Sequence, residues 1–205
     1  MRPLKPVIGL IGAIGAGKST VAAVMGSLGG FVVDADAIGH EVLDEPAVRD
    51  QLVGRWGAGI LRDDGSVNRR AVGAIVFADP AERKVLEAIV FPRIHEREGE
   101  LFALADADPA ARFIVLDAAV LVEAGRGEVC KKLVFVDAPR EERLKRLAAR
   151  SGWTAEELTR REEAQLPLAE KRRLADATLD NDGDPGELRE SVAALLRRWR
   201  LLAAA

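Results

Sequence analysis

The sequence predicts an α/β fold in three layers, a parallel five-stranded sheet with helices on both faces. Two observations predict it. Short apolar runs of strand length alternate with longer segments of helical periodicity. Acidic residues close several of the runs (Asp34, Asp117, Asp137 and Asp180), marking carboxyl ends of strands, where open parallel sheets collect ligands. Composition agrees: 205 residues, 48% apolar and 31% charged, suit one globular domain with a substantial core.

The elements follow in order. Val7–Ile11 reads as a buried strand, and Val21–Leu28 as a helix with apolar residues at helical spacing. Between them lies Gly12-Ala-Ile-Gly-Ala-Gly-Lys18-Ser19-Thr20, which fits the phosphate-loop pattern G-x-x-x-x-G-K-[ST] in its required strand–helix setting. Gly12, Gly15 and Gly17 let the backbone turn so that N–H groups, including that of Ala16, face an anion at the helix start. Lys18 offers charge to β- and γ-phosphates, and Ser19 offers a hydroxyl to magnesium. These features predict a P-loop NTPase fold that binds a nucleoside triphosphate.

The remaining strands are Phe31–Val33, Phe113–Leu116, Leu133–Val136 and Ala177–Leu179. Phe31-Val-Val-Asp34-Ala-Asp36 ends in two carboxylates, which lie near the phosphate loop if strand two lies close to strand one. Asp36 then accepts an acceptor's proton, while Asp34 helps hold magnesium or shapes the turn. Residues 41–108 are long, polar and mostly helical, with a turn at Asp63-Asp64-Gly65, and read as a helical insertion. Residues 151–173 are charged with few apolar anchors and read as a lid. The nucleotide-binding core is left with about residues 1–40, 109–150 and 174–205. Arg146 and Arg150 share a helix face, and Arg161 falls in the lid; arginine forks match phosphate oxygens. The Ala-rich C-terminal end is expected to fray.

Several classes are excluded or disfavoured. A net charge of −3 gives no electrostatic case for nucleic acid. The lone Cys130 and two histidines argue against a cysteine- or histidine-rich metal centre. No apolar run has membrane-spanning length or the form of a signal peptide, so a cytoplasmic location is expected. No Asn-Lys-x-Asp stretch reads guanine, which disfavours a GTPase.

Taken together, the motifs resemble those of the dephospho-coenzyme A kinases over nearly the whole chain. The resemblance runs through Ile8–Thr20, Val33-Asp-Ala-Asp36, His40-Glu, Asp64-Gly-Ser-Val-Asn-Arg69 with Val72 and Phe77, and Leu116-Asp-Ala-Ala-Val-Leu-Val-Glu123. It continues through Arg146-Leu-Ala-Ala-Arg150-Ser-Gly-Trp-Thr, Arg161, Ala164-Gln165, Ala175-Asp176 and Leu179-Asp-Asn181-Asp-Gly183. It implies transfer of the γ-phosphoryl of ATP, with Mg2+, to the ribose 3′-hydroxyl of dephospho-coenzyme A. Gly15 to Thr20 match the ATP-phosphate segment and Asp36 the base. Arg150 and Arg161 match lid arginines that reach phosphate; Asn181 and Gly183 match a segment near adenine. The insertion matches the acceptor domain, where His40 and Arg69 join Asp36 as candidates for acceptor contact. The expected partners are small molecules, with no nucleic acid or membrane, and the expected assembly is a monomer or small homo-oligomer. The chain departs from the family at Ala119, where proline is usual, and at Phe91, where histidine usually precedes Pro92. Two rival readings remain: a kinase for another small acceptor, such as a nucleoside monophosphate, and an ATPase switch.

Overall fold

The computed structural model describes residues 3–203. Of the Ala-rich end, Ala204 and Ala205 lie outside the described residues. The chain divides into two compact units, one of residues 1–34 and 102–205 and the other of Ala35–Leu101.

The first unit holds five parallel strands: β1 (Val7–Gly12), β2 (Gly30–Asp34), β3 (Phe113–Asp117), β4 (Lys132–Asp137) and β5 (Ala177–Asp180). Their order is β2-β3-β1-β4-β5. Every residue of β1 and β3 is buried, which is why both read as unbroken apolar runs rather than alternating ones. On one face Ile8, Leu10, Val115, Val134 and Val136 pack with Val21, Ala22 and Met25 of α1 (Lys18–Ser27). In the C-terminal part of the chain, a further helix (Pro185–Arg198) adds Leu188, Val192, Leu195 and Leu196 to the same cluster. At Gly9 the sheet is covered closely: an added Cβ would lie 2.6 Å from both Leu121 Cδ2 and Cys130 Sγ. Cys130 thus fills space against the sheet. The strands spread from β1 in both directions, so its carboxyl end is a topological switch point.

The sequence left open whether strand two lies close to strand one. Strand two is not beside strand one, because β3 lies between them. Asp34 is in register with Asp117, and Asp117 with Leu10 of β1. Of these two strand-end carboxylates, Asp117 stands on the strand next to the phosphate loop's own strand.

The second unit contains α2 (Ala35–Asp44), α3 (Pro46–Trp56), α4 (Arg69–Ala78) and most of α5 (Pro80–Ala107). Its start at Ala35 precedes the expected residue 41, because α2 follows β2 without a loop; its end at Leu101 falls inside one continuous helix. Val42, Val48, Leu52, Ile60, Val67 and Val72 are buried. Asn68 caps α4 by accepting from the N–H groups of Arg70 and Ala71. The turn at Asp63–Gly65 is present. It is closed by a bridge between Leu61 and Val67, and the Asp64 carboxylate accepts from Ser66 N–H at 2.9 Å. Pro92 lies inside α5, and Phe91 stacks on His95 with ring centroids 6.1 Å apart.

After β4 the first unit continues through α6 (Arg140–Ser151), α7 (Ala155–Glu163), α8 (Leu168–Leu174) and, after β5, α9 (Pro185–Arg198). The expected lid segment therefore holds two short helices. No helix among the described residues is long and apolar enough to cross a membrane.

Candidate active site

The loop between β1 and α1 is shaped by close approaches that only glycine permits. Gly12 has φ +142°, and a Cβ there would sit 2.2 Å from the Val136 carbonyl oxygen. Gly17 adopts the left-handed conformation, φ +86°, and a Cβ would sit 2.2 Å from Asn181 Nδ2. α1 then starts at Lys18 with no acidic residue in its first turn and no side-chain cap, so its positive end is available to an anion. The Lys18 ammonium leans back to the Ala13 carbonyl at 3.5 Å. Ser19 and Thr20 are exposed beside it.

The loop's carbonyls are held from outside. Asn181, only 8% exposed, donates from Nδ2 to the Ala16 carbonyl at 2.8 Å. Arg146 donates to the same carbonyl at 3.3 Å and to the Asn181 carbonyl at 2.7 Å. Arg143 donates to the Ile14 carbonyl at 3.0 Å. The structure thus brings together Gly12, Gly15, Ala16, Gly17, Lys18, Ser19, Thr20 and Asn181. Gly183 lies exposed in the turn from β5 to α9, just beyond Asn181.

The two lid arginines lie on α6 and α7. Arg150 is exposed in the last turn of α6, with no ion pair among the described residues. The Arg161 guanidinium lies 4.3 Å from the centre of the Trp153 ring and donates to Glu157 at 2.7 Å. That hydrogen bond holds the Glu157 carboxyl below the usual carboxylate range. Asp34 ends β2 and is exposed. Asp36 and His40 are exposed one turn apart on α2, hence on one face, and Arg69 is exposed at the start of α4. These last three belong to the second unit.

Sequence reasoning missed four buried polar groups, of which Glu98, 2% exposed, lies on α5. Asp117, 6% exposed, was visible as a strand end but not singled out as a site residue. Arg143 is 4% exposed, and its only signal is its place one turn before buried Leu147 on the core-facing side of α6. Lys171 is 1% exposed; it donates to Gln165 at 2.8 Å and pairs with Glu123 at 2.7 Å, joining α8 to the segment after β3. Ala119 sits in the turn of that same segment. Asp137 pairs with Arg172, so this strand-end carboxylate is engaged within the protein.

The model of the dephospho-CoA kinase family matches residues 6–187. A dephospho-CoA kinase of Geobacillus kaustophilus is 40% identical over 201 residues, 95% of this chain and 97% of that protein. Among solved structures, a Thermus thermophilus protein aligns with a TM-score of 0.81 at 34% identity, covering 97% of this chain and 98% of that one. The dephospho-CoA kinase of Campylobacter jejuni aligns with a TM-score of 0.69 at 26% identity, covering 96% and 98%.

Proposed function

The chain belongs to the dephospho-CoA kinase family, and from that premise we propose how its own residues carry out the final step of coenzyme A synthesis. The γ-phosphoryl group of ATP moves to the ribose 3′-hydroxyl of dephospho-coenzyme A. The bond from the γ-phosphorus to the β–γ bridging oxygen breaks, a bond to the 3′-oxygen forms, and the hydroxyl proton passes to Asp36. The products are ADP and coenzyme A.

Loop amides from Gly12 to Thr20 and the Lys18 ammonium bind the β- and γ-phosphates. They oppose the charge that builds on the transferring group and on ADP as the bond breaks. Asp36 orients the acceptor hydroxyl and takes its proton; His40 and Arg69 are candidates for holding the acceptor. Arg150 and Arg161 neutralise phosphate charge and exclude water when the lid segment folds over the nucleotide. For Arg161 this means leaving Trp153 and Glu157. Asn181 holds the loop's shape, and with Gly183 it lies in the segment assigned to adenine.

The donor set suits magnesium. No group of three or more His, Cys, Asp or Glu among the described residues forms a metal cage, whereas a hydroxyl and a few carboxylates suit an ion that takes most ligands from phosphate and water. Ser19 would hold it, with Asp34 or Asp117 near its water shell, and it would neutralise phosphate charge. The proposal includes a cytoplasmic location, small-molecule partners only, and a monomer or small homo-oligomer.

The observation that carries the proposal is the phosphate loop at the end of β1, with its carbonyls held outward, in a chain that matches the family from residue 6 to residue 187. An acceptor panel tests it: dephospho-coenzyme A, AMP, CMP, shikimate and gluconate, scored by ADP release and product mass. Dephospho-coenzyme A is expected to be the preferred acceptor by a wide margin. Preference for a monophosphate or sugar acid would leave only a general kinase, and steady ATP hydrolysis with no acceptor would favour the ATPase switch.

A further inference from the structure

We infer that Arg143 is a positioning residue for phosphoryl transfer, setting the aim of one phosphate-loop amide and tying that aim to the lid helix α7. The inference rests on the proposal that the loop binds the phosphates of ATP.

The guanidinium is buried and makes three anchoring contacts. Nε donates to the Ala138 carbonyl at 3.1 Å, fixing the turn between β4 and α6. Nη1 donates to the Ile14 carbonyl at 3.0 Å, inside the phosphate loop. Nη1 also pairs with the Glu162 carboxylate of α7. Glu162 is further fixed by Arg140, 3.7 Å away, whose Nη2 donates to Thr159 of the same helix at 2.7 Å.

Peptide geometry turns the Ile14 contact into a statement about function. The peptide bonds are planar, and none of those described is cis. In a trans peptide the N–H of the next residue points opposite to the carbonyl. Holding the Ile14 carbonyl toward α6 therefore turns the Gly15 N–H the other way, toward the concave side of the loop. Asn181 and Arg146 do the same at Ala16, which turns the Gly17 N–H. Gly15 has φ +79°, so its flanking peptides have more rotational freedom than a residue with a side chain would allow, and an external hold is needed to keep one orientation. Arg143 supplies that hold.

The Glu162 contact adds the coupling. A carboxylate from the lid segment keeps the guanidinium charged, buried and oriented toward Ile14. Displacing α7 weakens the hold on the Ile14 carbonyl, and a nucleotide that needs the Gly15 amide favours the arrangement in which Arg143 and Glu162 are joined. Binding of phosphate and seating of the base of the lid then support each other, without Arg143 or Glu162 touching the nucleotide.

The test uses the full chain and the variants Arg143→Gln, Arg143→Lys, Glu162→Gln and the double variant Arg143→Gln/Glu162→Gln. ADP affinity is measured by titration calorimetry, along with kcat, KM for ATP, KM for dephospho-coenzyme A and the unliganded Tm. Arg143→Gln is expected to weaken ADP binding and lower kcat by about tenfold each, the scale of one charge-assisted hydrogen bond, with KM for dephospho-coenzyme A within about twofold of wild type. Arg143→Lys should restore only part of the loss, since an ammonium lacks the fork that reaches Ala138, Ile14 and Glu162 together. Glu162→Gln keeps the helix and removes only the charge, so it remains informative even if the arginine variants fold poorly. It should weaken ADP binding in the same direction by about threefold, and the double variant should be no worse than Arg143→Gln alone. A lower Tm with wild-type ADP affinity and kcat in Arg143→Gln or Glu162→Gln would assign both residues to stability alone and overturn the inference. Absence of ADP binding by the wild type would overturn the nucleotide proposal as well, which separates the two failures.

Discussion

Replacing Gly17 with alanine tests the most crowded point of the phosphate loop. Two costs add. Alanine at φ +86° sits in the left-handed region, at about 1–2 kcal/mol. The new methyl also falls 2.2 Å from Asn181 Nδ2, so that side chain must leave and give up its 2.8 Å bond to the Ala16 carbonyl. Losing the partner of a buried carbonyl costs about 1–3 kcal/mol, and Arg146 at 3.3 Å keeps that figure toward the lower end. The sum is about 2–4 kcal/mol, which for a chain of this size lowers Tm by roughly 5–15 °C. Because the proposed function sets the Gly17 amide against phosphate, ADP affinity should fall together with Tm. Thermal unfolding with and without ADP reads both effects. Gly59→Ala is the control, since a Cβ there meets nothing within 4 Å. Adding Asn181→Ala to Gly17→Ala should cost less than the sum of the two single changes, because the clash and the lost hydrogen bond involve the same side chain. A Gly17→Ala protein with wild-type Tm and ADP affinity would refute the packing argument.

Three further outcomes are expected. Lys18→Ala should abolish turnover while leaving Tm within a few degrees; retained turnover would remove the phosphate loop from the mechanism. Asp36→Asn should lower kcat by about two or more orders of magnitude with little change in ATP affinity, and collapse of ATP binding instead would make Asp36 a magnesium ligand. Lys171→Met removes the cation that faces Glu123. Breaking a fully buried pair costs about 3–5 kcal/mol, but Glu123 keeps 22% side-chain exposure, so about 2 kcal/mol is expected, or roughly 4–8 °C in Tm, and an unchanged Tm would contradict the pairing.

Two of the strands were legible because burial made them so. β1 and β3 are covered on both faces and carry unbroken apolar runs, and all five strands fall within a residue or two of their predicted bounds. Their order was not legible, since nothing in Phe31–Val33 says which neighbour it takes, and β3 came to lie between β1 and β2. The loop glycines were readable from motif spacing. The groups that hold the loop were not, because a charged residue on a helix reads as solvated. Arg143 and Lys171 are the opposite: each is buried by a carboxylate from a distant part of the sequence, Glu162 and Glu123. Asn181 was assigned by resemblance to the adenine side, while its side chain is bonded to the Ala16 carbonyl, a contact across 165 residues that no local pattern encodes. The second unit was visible as a surplus of helical sequence, but its start was not, because Phe31–Asp36 reads as a strand ending in two carboxylates, whereas Ala35 is already the first residue of α2.

The most direct measurement is a single reaction of the purified protein with ATP, Mg2+ and dephospho-coenzyme A, followed by mass and by phosphorus NMR of the product. The predicted result is one added phosphoryl group, located on the ribose 3′-oxygen, with one ADP formed for each coenzyme A. A product phosphorylated elsewhere, or ADP formed with dephospho-coenzyme A unchanged, would contradict the assignment.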